Sequence, residues 1–149
     1  LEDFWPRRGP QWDAIGRTDA GHVLIVEAKA YVAEMLSSAT QAKGRSLLKI
    51  EAALDVTAKA VRARPRAPWS TTFYQLANRF AALYFLRSEG VDAYLVLANF
   101  VGDREMGGPL DDGGWRGAYA AAFYAMGLTS RHAYADRVID IYPGIGDLN

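Results

Sequence analysis

Two nearly uninterrupted apolar stretches constrain the fold of this chain most: HVLIVEAKA over residues 22–30 and VDAYLVLANFV over 91–101. Runs of this kind read as strands covered on both faces, at the centre of a sheet packed by helices. Between them, Leu47, Ile50, Leu54, Ala58 and Val61 recur at helical spacing and predict a helix of about four turns over 46–61, ending before Pro65. A second helix is predicted over 71–88, capped by Ser70 or Thr71 and closed by Gly90. Its apolar stripe is Phe73, Leu76, Ala77, Phe80, Leu83 and Tyr84, with Thr71, Gln75, Asn78 and Arg79 clustered on another face.

Shorter signals fill in the rest. QWDAIG, residues 11–16, has strand character, and Thr18-Asp19-Ala20-Gly21 supplies the turn into the strand at 22–30. Residues 1–10 suggest a short edge strand and a turn, because Pro6 and Pro10 exclude a central position. Residues 31–45 favour no element, and the run 62–68, with three arginines and two prolines, reads as an exposed connector. Glycines make 102–114 a loop; 115–126 reads as a helix stopped at Gly127, 138–142 as a last strand, and the remaining tail as loose. The order ββ(β)–α–α–β–α–β is that of an α/β fold with a mixed sheet.

At 149 residues the chain suits one domain with one core. Seventeen basic and seventeen acidic residues cancel, so there is no bulk field to gather a polyanion and nucleic-acid binding would need a local patch. With no cysteine, disulfides and Cys-ligated metals are excluded. No apolar run approaches the roughly 18–20 residues of a membrane span, and LEDFWPRRGP lacks the form of a secretory leader, so a cytoplasmic chain is expected. The chain begins without Met, close to a predicted strand, and is expected to lack upstream residues.

Polar groups appear abruptly where the first apolar strand ends. Residues two apart on a strand share a face, so Glu27 and Lys29 project together, and a paired first strand would bring Asp13 beside them. Carboxylates and an ammonium gathered at a strand end are costly to desolvate. Mg²⁺ takes oxygen ligands, often one or two carboxylates with water and phosphate, so Asp13 and Glu27 make a candidate divalent-cation site with Lys29 alongside. A metal there would make bound water more acidic and neutralise phosphoryl oxygens, while Lys29 would orient or deprotonate the water.

The segment PQWDAIG…HVLIVEAKA, with Asp13, thirteen intervening residues and then Glu27-X-Lys29, resembles the signature of the PD-(D/E)XK nuclease superfamily. The family's proline–aspartate pair is replaced here by Trp12-Asp13. The likeness is specific over residues 10–30 and looser out to about residue 101. It implies a restriction-endonuclease-like mixed central β-sheet flanked by helices, and Mg²⁺-dependent hydrolysis of phosphodiester bonds in DNA, with Mn²⁺ as a substitute ion. It assigns metal ligation to Asp13, Glu27 and the carbonyl of Ala28, and catalysis to Asp13, Glu27 and Lys29. Gln75 would be the polar residue that such nucleases carry on a following helix. Members often place a helix, sometimes with a further acid, before the first strand; here either an upstream segment or Glu2 or Glu34 would supply it. Cleavage of both strands would call for a homodimer, and a recognition domain would lie upstream.

Arg7 and Arg8, with Asn78 and Arg79, are the candidate nucleic-acid contacts. Arg62, Arg64, Arg66, Lys43, Arg45 and Lys49 are further basic positions that a solvated surface would equally explain. Asp111-Asp112 in the glycine-rich loop could bind a cation but reads first as a plain turn. His22 and His132 have no nucleophile in view, and Ser70 and Thr71 have no partner base. Two rival readings share the motif: a catalytically silent nucleic-acid-binding or protein-interaction module that kept the nuclease fold, and an unrelated α/β protein in which Glu27 and Lys29 pair across a surface.

Overall fold

The computed structural model describes residues 3–6, 9 and 12–148. Its elements are β1 (Ala14–Arg17), β2 (Val23–Lys29), α1 (Gly44–Ala60), α2 (Tyr74–Ser88), β3 (Ala93–Asn99), α3 (Asp112–Met126) and β4 (Val138–Ile141). Short 3₁₀ turns lie at Val32–Met35, Ala135–Arg137 and Ile145–Leu148, the last within the tail expected to be loose. Half of the predicted edge strand over 1–10 falls outside the described residues, and the other half holds no strand. Its described part is turn, with the Phe4 ring stacked 5.3 Å from Phe85 on α2.

The four strands stand in the order β1-β2-β3-β4. The first pair is antiparallel, joined by a tight turn in which Gly21 N–H donates to Thr18 C=O at 2.8 Å and Thr18 N–H to His22 C=O at 3.0 Å. The other two pairs are parallel, so the sheet is mixed, as expected. Parallel neighbours need a long crossover, which α1 and α2 provide between β2 and β3 and α3 provides between β3 and β4.

One face of the sheet carries the core. Ile25, Ala93, Leu95 and Leu97 join Leu54, Val61, Phe80, Leu83 and Trp115 in a single cluster, with Val23 and Val138 packed against it. Helix α2 meets this face through Arg79 and Gln75, α3 through Tyr119, and α1 packs on α2. The opposite face shows Leu24, Val26, Tyr94, Val96, Ile139 and Ile141 by strand alternation, and none of these joins the core cluster. Leu24 and Val26 are half-buried and Ile139 is exposed. The apolar run of β2 therefore reflects a central position in the sheet, and the expected helical cover on both faces is corrected to one.

Local chemistry explains the element ends. Asp111 caps α3, its Oδ1 accepting from the N–H groups of Gly113 (3.0 Å) and Gly114 (3.3 Å), so this acidic pair opens a helix rather than forming a free turn. Gly127 closes α3 at φ 71°, and a Cβ there would stand 1.9 Å from the Arg64 carbonyl oxygen. That close approach lets Arg64 N–H donate to Gly127 C=O at 2.9 Å, tying the arginine-rich connector to α3 while its side chains stay exposed. Helix α2 begins at Tyr74, later than predicted. Neither Ser70 nor Thr71 caps it: Thr71 Oγ1 donates back to Pro68 C=O, and Phe73 enters the helix in the left-handed region at φ 58°. A distant hydroxyl supplies the missing acceptor, with Gln75 N–H donating to Ser37 Oγ at 2.9 Å.

Candidate active site at the carboxyl end of the parallel strands

The hairpin register positions the first candidate residue. The ladder ends with Ala14 facing Val26, and Asp13 stands in the bend just before it. Asp13 is exposed, and its Oδ2 accepts the Ala28 N–H at 2.7 Å, fastening the start of β1 to the end of β2. Among the described residues its second oxygen has no hydrogen-bond partner.

Glu27 is buried, and each of its oxygens meets a cation. Lys29 Nζ stands 2.5 Å from Oε1, and Arg79 Nε stands 2.5 Å from Oε2. The three side chains expose only 4%, 10% and 6% of their surface, in the order Glu27, Lys29 and Arg79. A carboxylate so desolvated is tolerable only with partners in good geometry. Each oxygen has two lone pairs, so one donor apiece leaves acceptor capacity on both. Trp12 closes the cluster, its ring centroid 4.9 Å from the Arg79 guanidinium carbon.

Arg79 and Gln75 are one helical turn apart on α2, which brings both over β2. Gln75 Oε1 accepts from Lys29 Nζ at 3.2 Å, so this polar residue of the second helix reaches the strand end. Glu34 Oε2 accepts the N–H groups of Ala30 (2.6 Å) and Tyr31 (3.3 Å), directly beyond the strand. Lys29, Glu34, Ser37, Thr40 and Gln75 line a depression of about 460 Å³. Of the two acids considered for the supplementary role, Glu34 lies here, and Glu2 lies outside the described residues.

Three neighbours were not evident from sequence. Asn99 pairs with Lys29 across the parallel ladder, is fully buried, and accepts the Tyr119 hydroxyl at 2.9 Å. Burial pushes the Tyr119 hydroxyl pKa far up, with the negative charges of Asp140 and Glu27 adding to the rise. Asp140 pairs with Leu97, itself the cross-strand partner of Glu27, and although Asp140 is exposed, partial desolvation raises its carboxyl pKa against the pull of Arg116. The only sequence signal for these residues was a polar interruption in an apolar strand, visible at Asn99 and Asp140.

Other expectations need correction or lie out of view. Arg79, expected as a nucleic-acid contact on the surface, is instead buried against Glu27 and beneath Trp12. Asn78 is buried as well. Arg7 and Arg8 lie outside the described residues. His22 Nδ1 pairs with Asp92 at 2.7 Å near the opposite end of the sheet, where Asp92 also takes Arg87 and Arg137. His132 is buried against Phe80 and Phe123, and desolvation lowers its pKa.

Among the described residues no group of three or more His, Cys, Asp or Glu side chains is gathered to hold a metal. The donor set here is two carboxylates with backbone carbonyls nearby, which fits the sparse protein ligation of Mg²⁺ and would not satisfy a closed structural zinc site. Among the described residues no helix is long and apolar enough to cross a membrane. No protein-family model, no curated protein and no solved structure matches the chain.

Proposed function

We propose that this chain is a Mg²⁺-dependent nuclease of the PD-(D/E)XK type, with a restriction-endonuclease-like sheet, cutting phosphodiester bonds in DNA. The observation that supports the reading is the clasp of Asp13 Oδ2 on the Ala28 N–H, between Glu27 and Lys29, whose side chains meet at the end of the same strand. Asp13 and Glu27, with the Ala28 carbonyl, would hold the ion, which when bound supplies Lewis-acid neutralisation of phosphate oxygens and a more acidic water. Lys29 shifts between Glu27 Oε1 and the attacking water, with Gln75 Oε1 as the acceptor that keeps its ammonium oriented. Arg79 is a positioning residue, holding the Glu27 carboxylate through Oε2.

The test is cleavage of single-stranded and duplex DNA and of RNA by the full chain with Mg²⁺ or Mn²⁺, lost in D13N and K29A while both variants stay folded. No cleavage of any substrate with either ion would overturn it. One observation favours a second reading, that of a catalytically silent module. Both Glu27 oxygens already have cationic partners, so the carboxylate is charge-compensated without a metal. That reading gains if Mn²⁺ fails to bind the wild-type chain.

A further inference from the structure

The arginine-rich connector that follows α1 takes no part in the candidate centre. Arg62, Arg64 and Arg66 are exposed on it, and Ala133 N–H donates to Val61 C=O at 3.3 Å, bringing the segment of the exposed Arg131 alongside. Among the described residues none of these four guanidinium groups meets a carboxylate, whereas aspartates take Arg87, Arg116 and Arg137. The connector is pinned by its backbone: Ala63 N–H donates to Ala58 C=O (2.8 Å), Arg64 N–H to Gly127 C=O (2.9 Å) and Arg66 N–H to Ala125 C=O (3.0 Å). Arg66 lies over the exposed Tyr124 ring at 3.9 Å and donates from Nη1 to Tyr124 C=O at 2.8 Å. Arg62 follows the end of α1 at φ 59°. That left-handed position is most often glycine, which has no Cβ to strain. An arginine there is strained, and no ion pair among the described residues offsets it.

We propose that Arg62, Arg64, Arg66 and Arg131 form a docking surface for the phosphate backbone of duplex DNA. Guanidinium groups present paired N–H donors that match phosphate oxygens, and cations without a protein partner can replace the counterions of a polyanion. A local patch is the form that such binding must take in a chain whose charges cancel overall. Glu51 and Asp55 line a groove with Pro65 and Pro68 on the α1 side, where Asp55 is already taken by Lys59, so the phosphates belong on the α3 side. Helix α3 also sets the distance. It starts beside the candidate centre, with Trp115 Nε1 donating to Phe100 C=O at 2.8 Å and Phe100 N–H to Lys29 C=O at 2.9 Å. From Trp115 to Gly127, where Arg64 is tied, the helix runs about 18 Å at roughly 1.5 Å per residue. That is about five base-pair steps of roughly 3.4 Å, so the patch grips the duplex about that far from the point of cleavage. DNA as the polyanion rests on the nuclease reading; the pinned, unpaired arginines do not.

The experiment titrates the full chain, without metal ions, into a fluorescein-labelled duplex of about 20 base pairs and reads anisotropy at several salt concentrations. R62A/R64A/R131A should weaken binding by about tenfold or more near physiological salt. It should also flatten the plot of log K against log salt by about two to three, the counterion release of three phosphates. R62G removes the strain together with the charge, so it should weaken binding by about twofold or more while the melting temperature holds or rises. R17A, at the hairpin turn, should change neither. A triple variant with the parent's affinity and salt slope, or an R17A as weak as R62G, would overturn the surface. So would a parent chain that binds no DNA, or one that binds phosphatidylserine vesicles more tightly than the duplex through the same arginines. The two readings fail separately. Arginine-dependent binding without cleavage of any nucleic acid keeps the surface and removes the nuclease, whereas cleavage by the triple variant with the parent's KM does the reverse.

Discussion

Arg79 on α2 donates its Nε–H to Glu27 Oε2 on β2 across 52 positions of sequence, at 2.5 Å and out of contact with water. The pair fastens the helical layer to the sheet at the candidate active centre. Breaking a buried pair leaves one charge desolvated, and this costs more than the intact pair contributes. Arg79→Met is expected to lower stability by about 3 kcal/mol, the low end of that range because Lys29 still meets the other oxygen. Urea unfolding checks it, and an unchanged midpoint would show that the pair is not holding the layers together.

Lys29 competes with any cation for Glu27 Oε1. Lys29→Ala should therefore bind Mn²⁺ at least as tightly as the parent, while cleavage falls by about 10²-fold or more, the contribution of a positioned acid–base group. Calorimetry and a single-turnover assay report the two separately. Weaker metal binding in the variant would remove the competition from the account.

Asp13→Asn keeps an oxygen to accept the Ala28 N–H and removes the negative charge. The melting temperature should stay within a few degrees, the shift expected of a change of about 0.5 kcal/mol. Metal affinity and cleavage should both drop. A variant that unfolds instead would make Asp13 a structural clasp first.

Asp140 offers a pH test. Partial desolvation raises its carboxyl pKa in the folded chain above that of a free aspartate, although the side chain is exposed. Between those two values the native state holds a proton that the unfolded state has lost, so stability falls as pH rises through the window. The penalty is complete above the folded pKa and absent below the unfolded one. Asp140→Asn should accordingly be more stable than the parent at pH 7, with the difference vanishing toward pH 3. Thermal unfolding at both values decides it, and a variant less stable at pH 7 would mean that the pull of Arg116 outweighs the partial desolvation.

Strands and their order were legible because apolar runs and a turn signal at residues 18–21 act locally. Glu27 and Lys29 were neighbours by alternation alone, whatever surrounded them. Arg79 was misread for a physical reason: helical spacing shows that it shares a face with Gln75, but not that this face turns inward onto a carboxylate 52 residues away. The start of α2 was placed too early because Ser70 and Thr71 have capping chemistry, whereas the acceptor that is used comes from Ser37, far upstream. The cover of the sheet was overestimated because a central strand and a doubly covered strand have the same composition. Asn99 and Tyr119 meet only through the tertiary arrangement, and neither announces the other in sequence.

The turn from Thr18 to Gly21 lies at the far end of the hairpin from Asp13, about 15–20 Å along the strands at roughly 3.3 Å per residue. It nevertheless governs the chemistry by parity. Along β2, odd positions such as Ile25, Glu27 and Lys29 face the helices, and even positions such as Leu24 and Val26 face away. An odd-numbered insertion in the turn that slid β1 by one place would flip its side chains to the other side of the sheet and carry Asp13 off the Ala28 N–H. A two-residue insertion would preserve the sidedness and displace Asp13 by one pleat. The number of residues in a remote, unremarkable loop is thus a counting device on which the existence of the candidate centre depends.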